Sequence, residues 1–547
     1  MTDWTPPAPG PWQQDSAHSP NAWTPAMAEL YPAGFNRGFT ETFNRYGMLL
    51  DRLAMAQVNG FTYHQPQPFD MPGPDGPMSP EDIGAEFGRR AALAEESFAV
   101  KRWRTDLELW DDELKPASIA RYRELGDTEI DALTDAELNE HLEAVGAHLA
   151  AMVYQHHRMN VATLLPVGDL ALHVAGWTGQ PPTVAFGLLD GYSPVSGVAP
   201  REMDDALAAI RGDDAARALL KSGSDPQTRL DQLRAALPPV DDYVRTIQDR
   251  VVEGFDIVNT TLREQPAVVL AKLSAALDGD PNAARRRADE YAVELREQVP
   301  AEHRPEFDEL LEEARALYRL RDERGLYSDI VAVGLLRRAM REIGRRAHER
   351  GIIDDPLHIL DATTKEAALI LDGGGPTGAE LATRGELRRS LDAEGAPRHL
   401  GPPPPHPPSD ELPPALGRLM SSIGFMIEGI LGQLDESGGD DSTIIGIGVT
   451  AGTAEGPARI VHTVDDLLDL EEGEVVVAAA TSEAFNSVLH LVAGIVTDHG
   501  SHASHAAIVA REMGFPAVVG TVDATSRIMT GDRIRLDAAK GEVTVLR

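Results

Sequence analysis

The stretch Glu394 to Pro414, EGAPRHLGPPPPHPPSDELPP, divides the chain. Proline has no amide N–H and fixes φ, so a run this dense enters neither a helix interior nor a central strand. It reads as a stiff, polyproline-like spacer. The patterning differs on its two sides. From about residue 80 to 395 apolar residues recur at helical spacing almost throughout. Thr134 to His157 is the clearest case: Leu138, Leu142, Val145, Leu149 and Val153 form one stripe, and Thr134 and Glu137 are placed as a capping box. Further helices are expected near 204–222, 227–251, 282–297, 305–324 and 329–350. After the spacer the period changes. TIIGIGVTAG, ARIVHTV, EVVVAAAT, GIVTDHG, PAVVG, DRIRLDA and EVTVLR are short β-branched runs bounded by Gly, Asp and Thr, with one helix at 504–513 among them. The expected fold is multidomain, a mainly α-helical N-terminal region followed by a C-terminal α/β domain.

Boundaries follow from the same breaks. Residues 1–80 read as a Pro- and Trp-rich arm (1–35), a short helix near 36–58 and an irregular stretch from 64 to 82. Residues 81–395 form the helical domain. Residues 396–441 hold the Pro-rich linker, an amphipathic helix at roughly 412–434 and most of a charged, Gly-rich hinge, DESGGDDS (435–442). Residues 442–547 form the α/β domain.

Charge narrows the partners. Lys and Arg number 50 against 87 Asp and Glu, a net charge of −37. A surface this acidic repels phosphate backbones and anionic lipid, so no nucleic-acid and no membrane partner is expected. The absence of cysteine removes disulfides, thiolate metal sites and cysteine nucleophiles. The start MTDWTPPAPGPWQQDS has neither the basic start nor the apolar core of a secretory signal. Runs such as VVVAAA (475–480) fall short of the about 20 residues a membrane helix needs, so a cytoplasmic location is expected.

The chemistry concentrates in TDHGSHASHAAIVAREMGFPAVVG, Thr497 to Gly520, with His499, His502 and His505 three residues apart. On the plainest reading they decorate a Gly- and Ser-rich turn. A metal would find three imidazoles but no carboxylate nearby except Asp498. Gly500 and Ser501 also oppose the earlier helix start that would bring His502 and His505 onto one face, so no metal site is assigned here. The third reading is nucleophilic. Ser504 is an N-cap, Gly514 a C-terminal stop, and His505 falls in the first turn, where free N–H groups and the helix dipole favour an anion. With an ordinary pKa near 6.5, the imidazole offers a neutral lone pair to a phosphoryl group. Protonating the opposite nitrogen then makes the ring a good leaving group.

GIVTDHGSHASHAAIVAREMGFPAVVG followed by ATSRIMTGDRIRLDAAKGEVTVL resembles the phosphohistidine, or swivelling, domain of the phosphoenolpyruvate-utilising enzymes. That group includes pyruvate phosphate dikinase, phosphoenolpyruvate synthase, rifampin phosphotransferase and phenylphosphate synthase. The resemblance implies that the phosphorylated residue is His505, directly before Ala-Ala-Ile. It implies phosphate-supporting roles for Ser504, Gly500, Thr497 and Arg511, with Asp498 in the same turn. Ser501 and His502 depart from the usual pattern, and a supporting role for His502 stays open. A looser resemblance of FDELLEEARALYRLRDERG through GPTGAELATRGELRRSL to the helical region before this domain, in rifampin phosphotransferase and phenylphosphate synthase, implies that 81–395 binds the substrate.

No ATP-grasp pattern precedes residue 395: GxxxxGK[ST] is absent, strand patterning is scarce, and DGGGPTG (372–378) reads as a turn between helices. The chain is therefore expected to bind no cofactor itself. Mg2+ and ATP would reside on a separate ATP-grasp, nucleotide-binding subunit, with ATP or phosphoenolpyruvate as the ultimate donor. RRAMREIGRRAHER (337–350) reads as a solvated, ion-paired face or a docking patch. YQHHRMN (154–160) reads as a core or interface pair, or as a general base for a substrate hydroxyl. Together these describe a subunit of a dikinase-type phosphotransferase. It would carry a phosphoryl group on His505 to a hydroxyl of a small, aromatic or apolar acceptor. The alternative is a non-catalytic regulatory or binding protein.

Overall fold

The computed structural model describes the chain except residues 1–3, 16–18, 20, 73–75, 194–199, 253, 281, 392–395, 403–411, 432–437, 440, 441, 463, 482–484, 486–488, 490, 503 and 547. It forms two compact units: Met1–Pro166 with Gln248–Thr261 and Leu320–Ile423, and Val167–Ile247 with Leu262–Arg319 and Gly424–Arg547.

The first unit is mainly helical. The capping box forms as expected: Thr134 N donates to Glu137 Oε2 at 2.8 Å and Glu137 N to Thr134 Oγ1 at 3.3 Å, opening the helix Asp135–Arg158. Its predicted stripe, Leu138, Leu142, Val145, Leu149 and Val153, is buried. The helix Pro25–Tyr46 lies against it at very short range. A Cβ on Gly34 would stand 2.7 Å from Ala150 O, and one on Gly38 2.7 Å from His157 Cβ. Only side chains this small let the two backbones approach so closely.

Two expectations need correction here. A helix was expected near 36–58 with irregular chain after 64. Instead the helix ends at Tyr46, and Leu50–Val58 (β2) and Phe61–Pro68 (β3) pair as an antiparallel hairpin. The turn is Asn59-Gly60, both at positive φ (50° and 84°), as a tight hairpin turn requires. With Trp12–Gln14 (β1) and His399–Leu400 (β4) the strands form a sheet in the order β2-β3-β1-β4 around Trp12, Phe61 and Tyr63. The basic stretch 337–350, on the helix Ile330–Glu349, is ion-paired but only partly solvated. Arg345 pairs with Glu342 and Glu349, and Arg350 with Asp135. Arg337 and Arg346, by contrast, are buried, the first donating to Ile257 O at 2.6 Å.

Among the described residues one helical stretch, Asp135–Thr178, is long and apolar enough to cross a membrane. The expectation of short apolar runs overlooked it, since residues 161–177, VATLLPVGDLALHVAGW, carry Asp169 as their one charged residue; 78% of its apolar window is buried inside the protein.

In the second unit the expected helices form with breaks where the sequence supplies them. Pro200–Arg211 and Asp214–Leu220 part at the Asp213 N-cap, and Pro226–Ala236 and Pro238–Ile247 at a proline. Ala283–Gln298 and Arg304–Tyr318 follow. The chain returns through the helix Pro414–Leu431 to an α/β domain, where every expected β-branched run becomes strand. These are Thr443–Ile445 (β6), Ile447–Gly448 (β7), Thr453–Val461 (β8), Val475–Ala478 (β9), Gly494–Thr497 (β10), Ala517–Val519 (β11), Arg533–Asp537 (β12) and Glu542–Leu546 (β13). With Gly438–Gly439 (β5), the described strands form one sheet in the order β5-β6-β13-β12-β8-β9-β10-β11-β7. β8 to β11 are parallel and the flanking pairs antiparallel. Val475, Val477, Val496, Val518, Ile534 and Leu536 fill its core. Of the expected hinge, Gly438 and Gly439 pair with β6, whereas 435–437, 440 and 441 lie outside the described residues, as do 403–411 of the spacer.

Candidate functional site

The site is built where parallel strand β10 ends. Asp498 N and His499 N continue the pairing beyond the strand, donating to Ala478 O at 3.1 Å and Ala479 O at 2.8 Å. The chain then turns through Gly500 at φ +127°, where a Cβ would meet Ser504 Oγ at 2.9 Å. It enters the helix His505–Met513 with Ser504 as N-cap and Gly514 as left-handed C-cap (φ 80°). This strand–turn–helix leads into β11, which pairs parallel to β10. Loops beyond the C-terminal ends of parallel strands are where open α/β sheets bind ligands. The helix buries Ala506 to Ala510, while Met513 is 44% exposed.

His505 is half-buried in the first turn. Its Nδ1 stands 2.9 Å from Thr481 Oγ1. Either partner can donate; if Nδ1 carries the proton, Nε2 holds the nucleophilic lone pair. Nε2 is enclosed in this arrangement. Ser504 Oγ is buried and has no hydrogen-bond partner among the described residues, and it makes no side-chain cap. A hydroxyl so placed, beside the open N–H groups of a first turn, suits a phosphoryl oxygen.

The turn is held from below. Thr497 Oγ1 donates to His499 O at 2.8 Å, and Thr497 O accepts from Thr521 N and Oγ1, both at 3.0 Å. Asp498 is 5% exposed and accepts from Thr525 N at 3.0 Å and from Thr525 Oγ1. Burial pushes its carboxyl up to about 6, against the opposing pull of the Thr525 and Thr521 hydrogen bonds. Burial, aided by the charge of Arg511, holds His502 below its ordinary value. Asp498 thus braces the turn from inside the domain.

Arg511 reaches back along the helix. Its Nη1 donates to His502 O at 2.9 Å, its Nε lies 3.5 Å from Asp190 Oδ1, and its guanidinium carbon stands 5.5 Å from the Phe186 ring centroid. The segment Pro182–Leu188 carries Phe186, which also stacks on Phe425 at 6.1 Å. Ser501 Oγ donates to Gly429 O. Sequence reasoning missed Thr481, Asp190 and Phe186. A signal existed for Thr481 alone: it follows the β-branched run of β9, whose Ala478 pairs with Thr497, so it arrives at the same sheet edge. Among the described residues the histidines and carboxylates whose ligand atoms converge are His156, His157 and Asp329, in the first unit.

The histidine in the first turn of this helix, set at the C-terminal edge of the mixed sheet, lies within a segment that matches a known family. Residues 470–541 match the family described as PEP-utilising enzyme, mobile domain, and residues 156–322 match the Rifampicin phosphotransferase fourth domain. Chondramide synthase cmdD of Chondromyces crocatus is 29% identical over 335 residues, 57% of this chain and 8% of that protein. The uncharacterized phosphotransferase YvkC of Bacillus subtilis is 28% identical over 329 residues, 58% of this chain and 37% of its own length. Rifampicin phosphotransferase of Streptomyces sviceus is 37% identical over 129 residues, 24% of this chain and 14% of that protein. The chain thus spans well under half the length of each of these relatives. The chain is thus similar to the PEP-utilising mobile domain over residues 470–541 and to proteins named as phosphotransferases.

Proposed function

We propose that this chain is a phosphocarrier and acceptor-binding component of a dikinase-type phosphotransferase, with His505 as the covalent carrier. The observation that carries the reading is the Thr481–His505 hydrogen bond at the start of a buried helix, beside the Ser504 hydroxyl, which has no hydrogen-bond partner among the described residues. Loading consists of attack by His505 Nε2 on a donor phosphoryl group: the N–P bond forms as the donor's P–O bond breaks and that oxygen leaves with the rest of the donor, while the first-turn N–H groups and Ser504 Oγ receive the phosphoryl charge. Delivery breaks the N–P bond as the acceptor hydroxyl oxygen attacks, the hydroxyl proton passing to water, and the imidazole leaves as the neutral ring with Nδ1 protonated. Nε2 is buried in this arrangement, so both steps require it to be uncovered. Thr497, Gly500 and Asp498 shape the turn, and Arg511 supports phosphate once it leaves Asp190. His502 is assigned no direct part.

Mg2+ and ATP belong, on this reading, to a separate ATP-grasp subunit, and the acceptor is a small aromatic or apolar hydroxyl compound. A cytoplasmic location fits such chemistry. The test is to incubate the chain with that subunit and ATP labelled in the β-phosphate and to map acid-labile phosphate. Label is expected on His505 and absent from His505→Ala. Label that persists in this variant, or that sits on His502, overturns the assignment. A non-catalytic binding protein would take up no label at all.

A further inference from the structure

We propose that the first unit holds a site for one divalent transition-metal ion of the zinc type, formed by His156, His157 and Asp329 with Tyr31 at the fourth corner. The proposal goes beyond the phosphotransfer reading and does not depend on it. His156 and His157 lie in the last turn of the helix Asp135–Arg158, and Tyr31 comes from Pro25–Tyr46. Asp329 closes a π-helical turn, Gly325–Asp329, that interrupts an otherwise regular helix. Such turns are rare and are found disproportionately at functional sites, because the extra residue re-aims a side chain.

The donor atoms already converge. His156 Nδ1 is 2.8 Å from Asp329 Oδ1, Tyr31 OH is 3.1 Å from Asp329 Oδ2, and Tyr31 OH is 3.3 Å from His157 Nε2. The ligand atoms of the two histidines and the aspartate all lie within 4.8 Å of one another. Donors bound to zinc at about 2.0–2.2 Å sit roughly 3–3.5 Å apart, and the two Tyr31 spacings, 3.1 and 3.3 Å, fall in that range.

The surroundings favour an ion over an ordinary surface cluster. The Asp329 side chain is 0% exposed and that of His156 14%. Phe35 and Phe39 pack on the His157 ring with centroids 4.3 and 5.3 Å away, which dries the site and strengthens its electrostatics. Asn160 Nδ2 stands 3.2 Å from His157 Nδ1; with its amide turned over, its oxygen would accept the N–H of a metal-bound imidazole. Arg324, buried beside Asp329, is the opposing charge. Burial pulls its guanidinium down to about 10, and it also feels the opposite charges of Asp329 and Asp322. Two imidazoles, a carboxylate and a phenol, with no thiolate in the chain, suit a first-row divalent ion such as zinc and exclude ions that demand sulfur.

The test uses the full chain, stripped by chelator and dialysed, and titrated with Zn2+ in a calorimeter and with Co2+ by visible absorption. One equivalent is expected, with the ligand-field bands of a nitrogen- and oxygen-bound cobalt ion. His156→Gln, at the partly exposed ring, should weaken binding about 10- to 100-fold while keeping the native circular dichroism. His157→Ala and Asp329→Asn should do the same or more. His502→Ala and His505→Ala should bind as the parent does. An absence of stoichiometric binding, binding that survives His156→Gln unchanged, or binding lost in His505→Ala each overturns the proposal and leaves the cluster as a hydrogen-bonded core network.

Discussion

Thr481 bonds the ring nitrogen of His505 that is not proposed to react, so its task is to hold the imidazole and its tautomer. Thr481→Val keeps the shape and removes the hydroxyl. A hydrogen bond to a group that becomes charged is worth about 1.5–3 kcal/mol, so His505 phosphorylation should slow by about 10- to 100-fold. Stopped-time labelling measures this, and an unchanged rate refutes the role. Asp498 makes a separate prediction. Its buried carboxyl titrates at about 6 rather than 3.8, so the folded chain holds a proton that the unfolded chain releases. The stability tied to that proton is fully present below about pH 4 and is lost as the pH rises through 6, by on the order of 3 kcal/mol. Asp498→Asn removes this dependence. Urea denaturation at pH 4.5 and 7 should show the variant gaining on the parent at the higher pH; a difference equal at both pH values refutes the assignment. His505 and its turn were legible as a string of residues, whereas Thr481, 24 positions away, was signalled only by its place after the β-branched run of β9.

Elements whose signals are local were legible, and those that depend on a distant partner were not. The helix His505–Met513 announced both of its ends, Ser504 by its type and Gly514 by the left-handed φ that a C-cap needs. The strands of the C-terminal sheet carried their β-branched signature. Strand β2, LDRLAMAQV, has composition suited to a helix, and only the Asn59-Gly60 turn marked it as half of a hairpin. Pairing with β3 then outweighed local propensity. The contact of Pro25–Tyr46 with Asp135–Arg158 can be tested directly. In Gly38→Ala the new methyl would meet His157 Cβ at 2.7 Å and Tyr154 O at 2.9 Å, and backbone cannot yield cheaply. Overpacking of this kind costs about 1–3 kcal/mol, read as a lower urea midpoint with unchanged slope. An unchanged midpoint would mean that the two helices part without cost.

For the whole molecule the proposed division of labour has one consequence. If the phosphoryl source lies on a partner, calorimetry of the isolated chain with Mg·ATP should show no binding, and labelling of His505 should appear only when the partner is added. Tight ATP binding by the isolated chain would mean that a nucleotide fold lies within the helical region. The sequence by itself determined that a helical region precedes an α/β domain across a proline spacer. It also determined that a histidine would open a helix after a strand, since capping, periodicity and proline act over a few residues. Only the tertiary structure decided what those residues face. It set Thr481 against His505 and Arg511 near Asp190, and it buried half of the basic stretch 337–350. It also gathered His156, His157, Asp329 and Tyr31 into one dry cluster. Such contacts join segments far apart in the chain, and burial and hydrogen bonding select them only once the backbone has closed around them.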